Sequence, residues 1–164
     1  MKRVWIMRHA KSERDDPGLA DIDRPLARRG RKDAPAVGQW LAAHGAAPDL
    51  IVSSPARRAR DTADLVARAV GYQGEPQCWQ LLYPGEAEPT LGALRELDKE
   101  VGSVLLVTHN PHAEELVALL AAGDGLKVRM PTAALALLEA DIAEWTSLER
   151  AGMSLAALVA PETL

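Results

Sequence analysis

The 164-residue chain has a single cysteine, Cys78, and no phenylalanine. One thiol excludes an intramolecular disulfide and any CxxC metal site. No stretch approaches the roughly 18 apolar residues that a membrane helix requires. The opening Met1-Lys2-Arg3-Val4-Trp5-Ile6-Met7-Arg8 has too short an apolar run for a signal peptide, so a cytoplasmic globule is expected. There is no surplus of cations. Lys and Arg number 19 against 23 Asp and Glu, a net charge of −4, which weighs against bulk nucleic-acid binding. No GxxxxGK[ST] loop is present, and no carboxylate cluster points to a dedicated magnesium cage. No repeat or low-complexity linker divides the chain, and its length suits one domain over 1–164.

What is present is an alternation of short apolar runs with longer amphipathic ones. Val4-Trp5-Ile6-Met7, Leu50-Ile51-Val52 and Val104-Leu105-Leu106-Val107 read as buried strands. Residues 76–80 and 134–138 are further strand candidates, and 155–159 reads as an edge strand before Pro161. Helical spacing marks residues 31–44 through Val37, Trp40, Leu41 and His44, with Gly45 as the stop and Pro35 expected in or near the first turn, or else to kink the helix. A second helix covers 56–70 and ends at Gly71. Leu91, Leu94 and Leu97 mark a third, and Leu116, Val117, Leu119 and Leu120 a fourth, stopped by Gly123. Strands alternating with helices predict a three-layer αβα sandwich on a mainly parallel sheet. Right-handed crossovers place the strand C-termini along one edge, where ligands of such sheets bind.

Three of those strand ends share a chemistry. The first runs Arg8-His9-Ala10-Lys11-Ser12, the second Ser53-Ser54-Pro55-Ala56-Arg57-Arg58, and the third Thr108-His109-Asn110-Pro111-His112. Ser54 and Asn110 suit helix N-caps, with Pro55 and Pro111 at the first helical position. Helix N-termini attract anions. Beside arginines and imidazoles they predict a cationic pocket on an acidic chain. A phosphoryl group in transfer spreads charge over three oxygens, which arginine forks match. A neutral imidazole can attack phosphorus and carry it covalently. The residues therefore point to metal-independent phosphoryl transfer through a phosphohistidine.

The same segments carry a family resemblance. Arg8-His9-Ala10 resembles the R-H-[GA] signature of the histidine phosphatase superfamily, the phosphoglycerate mutase-like fold. Ser54-Pro55-Ala56-Arg57-Arg58-Ala59-Arg60-Asp61-Thr62-Ala63 resembles its S-P-x-x-R-A-x-x-T-A segment, and His109-Asn110-Pro111 its second histidine. The stretch Asp23-Arg24-Pro25-Leu26, with Arg29-Gly30, the small size and the Pro161-Glu162-Thr163-Leu164 ending, is similar to the SixA-like branch of small phosphohistidine phosphatases. The resemblance implies that His9 is the transiently phosphorylated nucleophile. It implies that Arg8 and Arg58 bind phosphate and that His109 contacts the transferred group. Ser12 matches a small hydroxyl position that adds a phosphate contact, with Lys11 and Asn110 as further binding candidates. Larger members take a general acid from the middle of the chain. Here Glu86 and Glu88 lie in the corresponding region but fit no clear motif, and Asp21 and Asp23 are other candidates for the acid, with Glu86 and Asp23 put first. A missing acid suits an imidazole leaving group better than an alkoxide. The implied partner is a phosphohistidine protein or a small phosphorylated substrate, with no cofactor, nucleic acid or membrane.

Other readings compete. A small-molecule phosphatase or mutase of the same superfamily would use the same residues, and a non-catalytic phosphate-binding domain would need no nucleophile. His9 or His109 alone would read as a core histidine; the company of Arg8 and the other segments makes them functional. His112 is expected at the rim or without a role, and His44 as a helix-end cation. Arg57 and Arg60 are expected to be solvated or salt-bridged, and Arg28, Arg29, Arg31 and Lys32 to form a solvated helix start. The four tryptophans are expected in the core or on sheet faces, and Cys78 as a buried small hydrophobe. With no insertion left for a lid, segments 12–30 and 82–90 are expected to shape the rim of an open site.

Overall fold

The computed structural model describes residues 1–122 and 125–164. They form a six-stranded sheet in the order β3-β2-β4-β1-β5-β6. The strands are β1 (Lys2–Arg8), β2 (Leu50–Ser53), β3 (Gln77–Cys78), β4 (Ser103–Thr108), β5 (Leu135–Ala140) and β6 (Ser154–Val159). The helices are α1 (Arg28–Ala43), α2 (Arg57–Val70), α3 (Ala87–Arg95) and α4 (His112–Ala122). Gly123, the expected stop of the fourth helix, lies outside the described residues. β3, β2, β4 and β1 run parallel, whereas β5 is antiparallel to β1 and β6 to β5.

The all-apolar runs follow from burial on both faces. Side chains alternate across a strand. Val4 and Ile6 enter one core with Val104, Leu106, Leu91 and Leu116. Trp5 and Met7 enter the other with Leu105, Val107, Val37 and Val66. The sheet thus carries α3 and α4 on one face and α1 and α2 on the other, and the chain has the expected αβα fold.

Four local expectations need correction. α1 starts at Arg28 rather than residue 31, so Pro35 lies two turns inside it. α2 starts at Arg57 with Ala56 at the N-cap, so Ser54 and Pro55 precede the helix. The Ser54 hydroxyl accepts from the Ala56 N–H at 3.2 Å, short of the helix proper. α4 likewise starts at His112, after Pro111. Cys78 is exposed, because β3 is a two-residue edge strand hydrogen-bonded on one side only.

Candidate active site

The sheet order decides which strand ends meet. β4 lies between β2 and β1, with Arg8 opposite Thr108 and Ser53 opposite Val107. The next residue of each outer strand is tied to β4: the His9 N–H donates to the Thr108 carbonyl at 2.8 Å, and that of Ser54 to Val107 at 3.0 Å. His9, Ser54 and His109 are thereby neighbours. The loop that follows β1 is held by α1 and α2. The Ala10 N–H donates to the Thr62 hydroxyl at 3.0 Å, and Thr62 donates to the Arg58 carbonyl at 2.7 Å. Gly30 admits this loop closely, since a Cβ there would collide with the Lys11 carbonyl.

His9 and His109 are each 6% exposed, with ring centroids 5.1 Å apart. The Nδ1 of His9 lies 2.8 Å from the Ala10 carbonyl, which only accepts, so Nδ1 carries the proton. Nε2 is left with its lone pair. Burial, then Arg58, Arg8 and Arg24, push the imidazole down to about 4. It is neutral at physiological pH. His109 Nε2 lies 2.7 Å from the Ser54 hydroxyl. That oxygen already accepts from Ala56, and its own proton has no other acceptor among the described residues. His109 Nε2 therefore accepts and Nδ1 bears hydrogen. Burial, then His9 and Arg58, lower His109 to about 3.

Both arginines are half engaged. Arg8 Nη1 donates to the Met130 carbonyl at 3.2 Å, while Arg58 Nη1 and Nη2 donate to the Asp21 carbonyl and carboxylate at 2.8 and 3.1 Å. The Nε atoms of both are buried and unpartnered among the described residues, as is His109 Nδ1. Buried donors are rarely left unpaired. Three of them around two neutral imidazoles suit an anion with several oxygens.

Asp21, weighed as a candidate acid, has another job. Its carboxylate accepts from the Tyr83 hydroxyl at 2.7 Å, Arg58 at 3.1 Å and Arg24 at 3.1 Å. The Tyr83 hydrogen bond and these arginines hold it down to about 2. So firm an anion donates no proton near neutral pH. Asp23 and Glu86 are exposed, and no side-chain contact among the described residues ties either to the His9 cluster. Glu88 pairs with Arg150. Ser12 is buried, its hydroxyl accepting from Arg24 at 2.8 Å. Lys11 is half-buried. The Asn110 amide donates to Glu114 and to the Met130 carbonyl, both at 3.0 Å, and so braces the segment that holds Arg8.

Elsewhere the expectations divide. Arg57 is exposed and paired with Asp61, Arg60 is exposed, and Arg28, Arg29, Arg31 and Lys32 are exposed at the start of α1. His44 is exposed at the end of α1, 2.7 Å from the Trp40 carbonyl. Trp5 and Trp145 are buried, Trp40 and Trp79 half-buried. His112, expected at the rim or without a role, is not at the rim. It is 1% exposed, 2.7 Å from the Thr108 hydroxyl and 2.9 Å from Thr90. Gly85, at φ +93°, passes so close that a Cβ would meet His112 Nδ1 at 2.6 Å. Sequence reasoning missed Tyr83, the Ser54–His109 bond and the brace through Thr62. Thr62 alone had a signal, as the threonine of the segment around Arg58. A cavity of about 560 Å³ lies apart from these histidines between α3 and α4 and is lined by Glu88, Glu115 and Lys127 among others.

Comparisons with known proteins bear on the family of the chain. Residues 4–82 match the histidine phosphatase superfamily (branch 1). The phosphohistidine phosphatase SixA homolog of Haemophilus influenzae is 35% identical over 126 residues, covering 71% of this chain and 76% of that protein. Phosphohistidine phosphatase SixA of Escherichia coli K12 is 29% identical over 124 residues, 74% of this chain and 76% of its own. A structure of the protein histidine phosphatase SixA complexed with tungstate superposes with a TM-score of 0.84 at 25% identity, over 97% of each chain. Fold and relatives together define a phosphatase. More narrowly, the chain belongs to the histidine phosphatase superfamily, in its SixA-like branch.

Proposed function

We propose that the protein hydrolyses phosphohistidine, presented on a phosphorylated protein, through a covalent phospho-His9 intermediate and without a metal. One observation carries the reading: among the described residues, a neutral His9 has Nε2 free beside three unpartnered buried donors on Arg8, Arg58 and His109. Nε2 attacks phosphorus in line as the bond to the leaving group breaks. The donors take the equatorial oxygens, whose charge they stabilise. Attack leaves the His9 ring cationic, and the Ala10 carbonyl that accepts from Nδ1 stabilises that charge. Water then adds to phosphorus, Nε2 recovers its electron pair, and dihydrogen phosphate departs with both water hydrogens.

The substrate class rests on the protonation states. Among the described residues no firm proton donor is placed for an alkoxide, because Asp21, the carboxyl that Arg58 and Tyr83 hold beside the site, is kept ionised. An imidazole leaves without one. The names of the SixA relatives support the same class. An exposed free thiol, Cys78, accords with a reducing cytoplasm.

The test is phosphate release by EDTA-treated protein offered a phosphohistidine protein and an aryl phosphate, with rapid quench for an acid-labile phosphoenzyme. His9→Ala is expected to lose at least about 10³-fold and all label. Turnover of the aryl phosphate alone would move the substrate to small molecules. Phosphate binding without turnover would replace the enzyme by a binding domain.

A further inference from the structure

The structure assigns a discriminating role to the exposed end of the site: we propose that the Asp21 carboxylate accepts a hydrogen bond from the N–H of the leaving imidazolium. This selects a cationic nitrogen leaving group over an alcohol. The inference rests on the phosphohistidine reading above and adds a residue to it.

The groups are neighbours in series. The His9 and His109 rings are 5.1 Å apart, and the Tyr83 ring lies 5.5 Å from that of His109, edge-on. The Tyr83 hydroxyl donates to Asp21 at 2.7 Å. Burial falls along the series, from His9 and His109 at 6% exposure to the Asp21 side chain at 54%. Arg58 ties the two ends, with its Nη atoms on Asp21 and its buried Nε unpartnered among the described residues, so Asp21 borders the phosphoryl site on the solvent side.

Asp21 is built to stay an anion there. Arg58, Arg24 and Tyr83 occupy three of its roughly four acceptor directions. The remaining direction and the exposed face are open to a donor from the substrate. Asp21 closes no lid: it joins η1 (Asp21–Asp23) to the segment after η2 (Gln80–Leu82) at one point.

The chemistry balances without an acid. Phosphohistidine protonated on its distal nitrogen is an imidazolium joined to phosphorus. When His9 Nε2 forms its bond, the P–N pair returns to the leaving ring. That ring departs as neutral imidazole, keeping the N–H that Asp21 accepts. An alkyl phosphate would leave as alkoxide, needing a proton the site does not hold, beside a fixed negative charge.

The test compares kcat/KM for a phosphohistidine peptide and for phosphoramidate, whose nitrogen is protonated at neutral pH, with that for p-nitrophenyl phosphate. Asp21→Asn keeps an acceptor for Arg58 and Tyr83 but removes the charge. It is expected to lower the P–N to P–O ratio about tenfold or more, whereas Tyr83→Phe, which keeps the carboxylate, leaves that ratio within about twofold. An equal loss on all three substrates would overturn the proposal, since Asp21 would then act only by holding Arg58. The wild-type protein gives an independent arm that needs no variant. Its turnover of the phosphohistidine peptide is expected to fall as the substrate ring loses its proton, while aryl phosphate turnover holds. A P–N rate flat across that range would overturn the proposal alone. A wild-type protein inactive on every P–N substrate would sink the phosphohistidine reading with it.

Discussion

His112 and the His9–His109 pair lie on the two sides of one strand end, and both are buried, yet their nitrogens are treated differently. Around His112 every valence is filled. Thr90 donates to the Glu86 carbonyl, so it accepts from His112 Nε2, while Nδ1 accepts from Thr108. Around His9 and His109, one nitrogen of each ring is satisfied and the other is left open. Burial lowers all three imidazoles, to about 4, 3 and 4 for His9, His109 and His112. A depressed pKa therefore does not separate the functional histidines from the structural one. The unfilled valence does.

The sharpest way to break this contrast is at Arg58. Its terminal nitrogens serve Asp21 and its Nε is free. A lysine cannot do both, so Arg58→Lys is expected to lower kcat about 10²–10³-fold with the fold intact, checked by steady-state kinetics and circular dichroism. Near-normal kcat would mean that Nε takes no phosphoryl oxygen. The next effect runs the other way. His112→Ala removes the hydrogen bonds to Thr90 and Thr108 and leaves a void behind Gly85. It is expected to cost about 2–4 kcal/mol in urea unfolding while activity per folded molecule stays within about threefold. A large kcat loss at full stability would move His112 into the reacting machinery.

The smallest effect per residue is shared by all three rings. Each binds a proton near pH 6.5 when unfolded and only near pH 3–4 when folded. Their contribution is full above pH 6.5 and is lost as acid is added, because the unfolded chain takes up protons first. Stability is expected to drop by order 1–2 kcal/mol per histidine between pH 7 and 5, read from urea midpoints. The same shift moves the acid limb of kcat/KM for an aryl phosphate from near 6.5 to near 4. A limb at 6.5 would show that His9 titrates as a solvated imidazole.

Much of this was legible in the chain. Strands buried on both faces must be apolar throughout, so β1, β2 and β4 stood out as runs such as Val4-Trp5-Ile6-Met7. Parallel strands put their ends together, so Arg8, His9, the Arg57-Arg58 pair and His109 could be grouped from local segments, and the family resemblance chose Arg58 of the pair. Helix starts were less legible. Ser54 looked like a cap, but its hydroxyl is recruited by His109, 55 residues away. Cys78 looked like core because composition carries no sign of how short an edge strand is.

By itself the sequence determined the order of strands and helices and which residue types stand at each strand end, because hydrophobic periodicity and turn chemistry are local. The tertiary structure alone decided which of those groups are left wanting a partner. Asp21 meets Tyr83 across 62 residues and Arg58 across 37, while His112 finds Thr90 across 22. Whether a buried nitrogen is satisfied or open depends on such distant neighbours, and no local pattern encodes them.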